Sequence, residues 1–303
     1  MKKQTLIQVV LILIFTGIAL FIRNQMVGGL FKSDYEKNTE ILNTIETQSS
    51  SIYIYNLSDE EVLYEKNPDE NTPPASLTKL MTLLLTLETV GDLDKPAPIY
   101  SEVYYDMVQK NASMAGFFAN ETTTYRDLVI GALLPSGGEC AGSLALHIGQ
   151  TNTYFVDSMN QKAQELGMTK TQYINPVGLD EEGHQSTAKD TYVLFRKLLE
   201  NDLFRQMITE KSILSSSTNV HPNGLELDSY FWTNAEALSQ EGFTLIGGKT
   251  GTTLNAGLCL AVLVEKDGKE IILVSMNYPF EDLSNPGVGH LEEAFHLIEN
   301  LEV

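Results

Sequence analysis

Residues 73–81 read Pro73-Pro74-Ala75-Ser76-Leu77-Thr78-Lys79-Leu80-Met81, and an apolar run continues from there to Val90. Proline is tolerated just before a helix or in its first turn but not in its interior, so the two prolines predict a helix that begins beside Ser76. Lys79 follows Ser76 by three residues and would share its helix face, one turn further along. Because the run is apolar nearly all round, we expect the helix to be buried at the centre of a domain.

This pair of side chains is a candidate for nucleophilic catalysis. A serine hydroxyl is a poor nucleophile until a base removes its proton. A lysine can be that base when burial or a neighbouring cation lowers its pKa. The alternative is a helix-capping serine and a surface lysine, and a Ser-x-x-Lys motif is too common to decide between the two by itself.

Composition excludes several classes of partner. The 303 residues include 40 acidic and 20 basic side chains, which gives a net charge of −20. Nucleic-acid binding and polybasic attachment to anionic lipid both need clustered basic residues, so we expect no nucleic-acid partner. The only two cysteines, Cys140 and Cys259, could form one bridge outside the cytoplasm, but two separate buried thiols are favoured.

The N-terminal segment predicts attachment to a membrane. Two lysines precede an apolar stretch of 17 residues, Leu6 to Ile22, which Arg23 closes. This stretch is just long enough to span a bilayer, and no small-x-small cleavage site follows it. We therefore interpret residues 1–23 as an uncleaved anchor in the cell membrane, with the rest of the chain outside the cytoplasm. A cleaved signal peptide, which would release a secreted protein, is the alternative.

Strand patterns occur at both ends of the remaining chain. Ser51–Tyr55 and Glu61–Tyr64 form one pair, and Leu258–Glu265 and Glu270–Asn277 form another, joined at the hairpin signal Asp267-Gly268. The first strand is apolar on both faces, so both faces of the sheet should be covered.

Helical patterns dominate residues 100–240, and a further helix, Leu291–Leu301, closes the chain. The order predicts an α+β domain over residues 49–303, in which an antiparallel sheet is flanked by helices and carries an inserted helical lobe. A functional site would lie where the lobe meets the sheet. Residues 24–48 have no steady period and predict a linker.

Two further motifs follow the first. Ser136-Gly137-Gly138 lies in a turn before a helix, and Lys249-Thr250-Gly251 begins a strand region. Penicillin-binding proteins and serine β-lactamases have this order of a Ser-x-x-Lys motif, a serine loop and a Lys-Thr-Gly motif. Three motifs in order are a far stronger signal than any one of them.

Longer matches resemble the D-alanyl-D-alanine carboxypeptidases, the low-molecular-weight penicillin-binding proteins. They include Met159-Asn160, Leu166-Gly167-Met168, Asn175-Pro176-Val177-Gly178-Leu179 and His184-Gln185-Ser186-Thr187-Ala188. The resemblance covers roughly residues 50–280 and implies a β-lactamase/D,D-peptidase-like fold. It also implies a serine carboxypeptidase that acts on peptidoglycan stem peptides ending in D-Ala-D-Ala. β-Lactams would be covalent inhibitors, and no metal or other cofactor is implied.

The resemblance assigns the chemical steps to three side chains. Ser76 would attack the carbonyl of the penultimate D-alanine, Lys79 would accept its proton, and Ser136 would relay a proton to the leaving amine. Repulsion from Lys249 should lower the pKa of Lys79 and help to keep it neutral, whereas an incoming carboxylate should keep Lys249 charged.

The resemblance assigns substrate binding to the third motif. Lys249 and Thr250 would receive the terminal carboxylate, and the backbone N–H groups of Ser76 and Thr252 would form an oxyanion hole. Gly251 lets the backbone approach the ligand closely.

Gly138 departs from the family, which usually has an asparagine there that contacts the substrate's amide. If the cleft has room, we expect Gly138→Asn to raise acylation by up to about tenfold, the worth of one hydrogen bond. The alternatives are a positive φ at this position or another group in that space. The charge of Glu139 makes it a poor substitute.

Other polar residues favour structural roles, and other functions remain open. His184 is expected to be a buried hydrogen-bonding residue, Asp190 a cap or ion-pair partner and Trp232 a core residue. The alternative functions are a D,D-endopeptidase, a β-lactamase-like hydrolase or a non-catalytic sensor of wall fragments or β-lactams. A β-lactamase would need an additional base, and residues 170–185 offer no convincing one, although Glu181 and Glu182 stay open as alternatives.

Overall fold

The computed structural model describes residues 32–303, so the predicted anchor, residues 1–23, and the first part of the predicted linker lie outside the described residues. Among residues 32–303, no helix combines the length and the apolar character needed to cross a membrane.

The domain is built on a five-stranded antiparallel sheet. The strands of the described residues are β1 (Ser51–Asn56), β2 (Glu61–Lys66), β3 (Pro96–Pro98), β4 (Thr122–Thr124), β5 (Ser212–Leu214), β6 (Glu226–Asp228), β7 (Thr244–Thr253), β8 (Gly257–Lys266) and β9 (Lys269–Tyr278). The main sheet has the order β2-β1-β9-β8-β7, and the short strands pair as β3-β4 and β5-β6. Strands from both ends of the domain therefore share one sheet, as predicted.

The hairpin between β8 and β9 forms where the sequence predicts it. Asp267 and Gly268 both have positive φ, at 52° and 76°. Positive φ at both central residues is the requirement of the type I′ turn, whose twist matches that of the flanking strands.

Ten helices surround the sheet in the described residues. They are α1 (Asp34–Leu42), α2 (Thr78–Thr89), α3 (Ser101–Gln109), α4 (Tyr125–Leu133), α5 (Gly138–Gly149), α6 (Asn152–Glu165), α7 (Ala188–Leu199), α8 (Asp202–Thr209), α9 (Tyr230–Ala235) and α10 (Gly289–Glu299). The α+β fold with an inserted helical lobe is thus confirmed.

The two faces of the sheet bury two different hydrophobic cores. Side chains alternate along β1, so Ile52 and Ile54 enter one core while Tyr53 and Tyr55 enter the other. The first core includes apolar residues of α1 and α10, and the second includes those of α2 and the helical lobe. The expectation that both faces are covered is therefore confirmed.

The helix predicted beside Ser76 begins in a different way from that expected. A 3-10 turn, Ala75–Leu77, precedes α2, and Ala75 has a φ of 48°. Every residue of α2 from Thr78 to Thr86 is buried, which confirms a central helix. Ser76 thus lies in the turn that leads into the helix.

The predicted linker contains a helix. Ser33 and Glu36 form a capping box at the start of α1, and Leu42 at its end is buried in the core. The Asn38 side chain also bonds both the N–H and the carbonyl of Glu302. Because α1 buries so few residues, it has no apolar period, although the capping box was visible in the sequence.

A loop between α6 and α7 fastens α2 in place. Asn175 Oδ1 accepts hydrogen bonds from the N–H groups of Val177, Gly178 and Leu179, with N to O distances of 2.7–3.2 Å. Thr82 Oγ1 donates to the carbonyl of Pro176 over 2.7 Å. The loop is therefore held both by hydrogen bonds within itself and by a hydrogen bond from α2.

Gly178 makes this close packing possible. Its φ is +85°, and a Cβ there would overlap the carbonyl oxygen of Ala75.

We expect Gly178→Ala to lower the free energy of unfolding more than Gly167→Ala. Gly167 has a φ of +77° but no atom within 4 Å of an added Cβ. Gly167→Ala should cost only backbone strain, roughly 1–2 kcal/mol. Urea denaturation of the two variants measures the difference, and equal losses would contradict the close approach.

Candidate active site

The structure brings Ser76 and Lys79 together. Lys79 Nζ donates to Ser76 Oγ over 2.9 Å and to the backbone carbonyl of Val177 over 2.8 Å. The turn positions the serine, the first turn of α2 positions the lysine, and the loop after α6 supplies the carbonyl. The lysine amine is thus fixed within proton-transfer distance of the hydroxyl.

Burial makes the amine of Lys79 bind a proton less tightly than an ordinary lysine does. It lowers the pKa of Lys79 to about 8, while the Glu139 carboxylate acts in the opposite direction. Removal of the ammonium from water disfavours the charged form, so a large fraction of the amine is neutral near pH 8. A neutral amine beside a hydroxyl can act as a general base.

Ser136 and Lys249 form a second serine–lysine pair. Lys249 Nζ donates to Ser136 Oγ over 2.8 Å and to the carbonyl of Thr250 over 3.0 Å. Ser136 is in the turn before α5 and has a φ of 64°, an uncommon value for a residue with a side chain.

The electrostatics of the two lysines differ from the expectation. Burial is the main cause of the lowered pKa of Lys79, and the repulsion between the lysines acts on Lys249 instead. Burial and the charge of Lys79 together lower the pKa of Lys249 well below its ordinary value. Among residues 32–303, no carboxylate lies within salt-bridge distance of either amine, so no paired charge offsets the effect of burial.

Strand β7 lies directly against the turn that carries Ser76. A Cβ on Gly251 would be 2.9 Å from Ser76 N and 3.0 Å from Ala75 Cβ, so no side chain fits at this position. Thr250 and Thr252, on either side of Gly251, consequently lie beside the serine.

One cavity of about 1150 Å³ opens over these groups. Of the sequence-predicted residues, it is lined by Ser76, Lys79, Ser136, Thr250, Gly251 and Thr252. Lys249 is buried behind Ser136 and Thr250, and Gly138 does not line the cavity. The cavity also extends along α3 and the loop that follows it, so it is walled by both the lobe and the sheet.

The surroundings of Gly138 decide between the alternatives left open above. Its φ is not positive, but an added Cβ would lie 2.8 Å from Met107 Sδ and 3.3 Å from the carbonyl oxygen of Ser113. Of the alternatives, the one that holds is another group in that space: the side chain of Met107 occupies the position that a side chain at residue 138 would need. Glu139 is buried and accepts hydrogen bonds from Ala115 N and Gly116 N, so it holds a loop rather than facing the cleft.

His184 is structural, as predicted. Its Nδ1 accepts from Ile174 N over 3.0 Å, so Nε2 carries the proton and donates to Thr78 Oγ1 over 2.7 Å. Burial lowers the pKa of His184 to about 4, which keeps the ring neutral. It supports the loop from below and does not line the cavity.

The remaining polar predictions have simple outcomes. Trp232 is a core residue whose Nε1 donates to the carbonyl of Ile208. Asp190 accepts from Lys170 N and Thr171 Oγ1, so its partners are hydrogen-bond donors of a loop.

Cys140 and Cys259 are both buried and free, which confirms two separate thiols. Within residues 32–303, no three His, Cys, Asp or Glu side chains cluster as metal ligands would.

The sequence did not reveal the contribution of the 175–178 segment to the site. In the sequence, these residues indicate only the resemblance to the carboxypeptidase family. The carbonyl of Val177 is a partner of Lys79, and Asn175 fixes that carbonyl through the loop. The signal that could have found it is the Asn-Pro-x-Gly pattern, which is typical of a tight turn.

Comparison with known proteins agrees with this geometry. The family model described as D-alanyl-D-alanine carboxypeptidase, Peptidase_S11, matches residues 37–279. The D-alanyl-D-alanine carboxypeptidase DacF of Bacillus subtilis is 31% identical over 80% of this chain, and the match spans 60% of that relative's length. A D-alanyl-D-alanine endopeptidase of Pseudomonas aeruginosa is 30% identical over 77% of this chain and 72% of its own.

A solved structure shows the same architecture. The crystal structure of a D-alanyl-D-alanine carboxypeptidase from Mycobacterium tuberculosis superposes with a TM-score of 0.71 at 27% identity, over 84% of this chain and 91% of its own. The family match covers most of the chain, and the solved relative shares its fold. This chain therefore belongs to the D-alanyl-D-alanine carboxypeptidase family, peptidase family S11.

Proposed function

We propose that this chain is a serine-type carboxypeptidase that removes the terminal D-alanine from peptidoglycan stem peptides ending in D-Ala-D-Ala. The main support is the 2.9 Å hydrogen bond between Lys79 Nζ and Ser76 Oγ, in a cleft beside a second buried lysine, Lys249. The description of the matched family names the same activity.

In the acylation step, Ser76 Oγ bonds to the carbonyl carbon of the penultimate D-alanine while neutral Lys79 takes the hydroxyl proton. The backbone N–H groups of Ser76 and Thr252 would stabilise the oxyanion, and one such donor contributes about 3 kcal/mol to a transition state. Collapse of the intermediate breaks the C–N bond, and the leaving amine takes, through Ser136, the proton that Lys79 had accepted, so Lys79 is neutral again. The products of this step are an ester on Ser76 and free D-alanine.

In the second step, water attacks the ester carbonyl and Lys79 again serves as the base. The C–O bond to Ser76 breaks, and the hydroxyl regains its proton. The net reaction is hydrolysis of one peptide bond. Splitting it through an ester replaces one difficult step by two easier ones.

Lys249 and Thr250 would hold the terminal carboxylate of the substrate. An incoming carboxylate favours the charged form of Lys249 and so opposes the effect of burial on its pKa. A charge-assisted hydrogen bond is about twice as strong as a neutral one, and it distinguishes a free chain end from an internal peptide. This selection favours carboxypeptidase over endopeptidase activity.

We also propose that the domain acts outside the cytoplasm. Its support is the apolar segment Leu6 to Ile22 with its flanking lysines and arginine, which reads as a membrane anchor. Residues 24–48 would then connect the membrane to residues 49–303 of the catalytic domain, with α1 of this segment packed against the domain. β-Lactams, which carry a reactive amide and a carboxylate, would act as covalent inhibitors at the same serine.

The first test is covalent labelling. We expect benzylpenicillin to add its mass once to the wild-type protein and not at all to Ser76→Ala, because the hydroxyl is the nucleophile. Intact-mass spectrometry measures this, and release of D-alanine from a pentapeptide should disappear in the same variant. An adduct that survives in Ser76→Ala would refute the assignment.

The second test is the pH dependence of acylation. The base must be neutral, and burial lowers the pKa of Lys79 to about 8, so the rate should rise with pH. Between pH 7 and 9 the neutral fraction of such a group increases about tenfold. Stopped-flow rates with benzylpenicillin measure the profile. The rise should persist in the control variant Lys249→Ala. A rate that keeps rising past pH 10 would mean that Lys79 has the pKa of an ordinary lysine and would contradict the prediction.

The third test separates the two lysines by substrate. Lys249→Ala should lower the preference for a peptide with a free terminal carboxylate over its amide. A hydrogen bond to a charged group is worth about 1.5–3 kcal/mol, so the expected loss of preference is roughly 10- to 100-fold. The ratio of kcat/KM for the two peptides is the readout, and exposed Lys170→Ala is the control for net charge. An unchanged ratio in Lys249→Ala would contradict carboxylate binding by this lysine.

A further inference from the structure

The segment Ser113–Gly116 is joined to the turn that carries Ser136. Gly138 N donates to the carbonyl of Ser113 over 2.7 Å. Buried Glu139 accepts from Ala115 N and Gly116 N, over 2.7 and 3.0 Å, with one carboxylate oxygen. Three hydrogen bonds therefore fix this segment against the start of α5.

Two glycines allow this segment to approach so closely. A Cβ on Gly137 would lie 2.7 Å from Ala115 Cβ and 2.9 Å from Ala115 N, and a Cβ on Gly138 would lie 3.3 Å from the carbonyl oxygen of Ser113. The segment thus occupies space that side chains at positions 137 and 138 would need. Because both residues between Ser136 and Glu139 are glycines, the turn has no side chain there that could reach into the cleft.

Ser113 is the polar residue that this packing delivers to the cleft. It lines the same cavity as Ser76 and Ser136 and is exposed. Its backbone carbonyl is held by Gly138 N, whereas its side chain is exposed at the cleft. A hydroxyl on a fixed backbone can donate to a carbonyl or accept from an N–H.

We infer that the Ser113 hydroxyl hydrogen-bonds the amide that precedes the penultimate D-alanine and so selects ligands that are acylated at that position. The inference rests on the proposed function, because it concerns ligands that acylate Ser76. When a substrate peptide enters the cleft, each of its amides exchanges water for contacts with the protein. An amide that finds no hydrogen-bond partner there lowers the affinity of the protein for the peptide. Ser113 is therefore a specificity-determining residue rather than part of the proton-transfer machinery.

The test uses two ligands that differ at this amide. Benzylpenicillin and 6-aminopenicillanic acid share the β-lactam ring and the carboxylate, but only benzylpenicillin carries the acylated amine. In Ser113→Ala we expect the acylation rate with benzylpenicillin to fall about two- to tenfold, the worth of one hydrogen bond. The rate with 6-aminopenicillanic acid should not change. Ser113→Thr, which keeps the hydroxyl, should retain the wild-type ratio of the two rates.

Asn111→Gly is the matched control. Asn111 is exposed, lines the same cavity and belongs to the same loop, but it makes no hydrogen bond to the turn at residues 136–139. Its φ is +51°, which glycine adopts without strain, so the variant removes the side chain without straining the backbone. The ratio of the two acylation rates should stay at the wild-type value.

The possible outcomes separate the explanations. Equal losses with both ligands in Ser113→Ala would mean a structural role and overturn the inference. So would an unchanged ratio, or a change of ratio in Asn111→Gly alone. The rate with 6-aminopenicillanic acid reports on Ser76 and Lys79 in every variant, so it detects misfolding. A wild-type protein that neither penicillin acylates would overturn the proposed function, and the inference with it.

Discussion

The burial of the Lys79 amine between Ser76 and the carbonyl of Val177 is the constraint on which the rest of the site depends. An amine in water would be charged at neutral pH and would be no base. Burial favours the neutral form, but a buried polar group must still be hydrogen-bonded. The site meets both requirements, because the amine has the serine on one side and the loop carbonyl on the other.

That arrangement is maintained by a set of contacts within the protein, several of them in the loop after α6. Asn175 folds the loop on itself, Gly178 lets it approach Ala75, and His184 connects it to Thr78 at the start of α2. Ala75 and Ser136 both have positive φ, a conformation that costs free energy for residues with a side chain. Such strain persists only where the surrounding packing holds it, and here it occurs in the two turns that present the two serines.

The sequence predicted those parts of the molecule whose signals are local. The spacing of Ser76 and Lys79, the hairpin at Asp267-Gly268 and the alternation along β1 each depend on a few adjacent residues. The parts that it missed depend on contacts between distant segments. Met107 fills the space beside Gly138 from another helix, and the pKa of Lys79 follows from burial that no motif encodes. Helix α1 was missed for a similar reason, because Leu42 and Asn38 pack it against segments that are distant in the chain.

The pairing of β1 with β9 also determines when the domain can fold. Ser51 is opposite Met276, so the central ladder joins residues more than two hundred positions apart in the chain. Contacts of such high contact order form late, because the intervening chain must first be brought together. During synthesis the sheet cannot close until its last hairpin has been made. The turn with Ser76 packs on β7, so Ser76 acquires its surroundings only after β7 has been synthesised, and a growing chain that stops short of residues 244–253 cannot assemble the cleft.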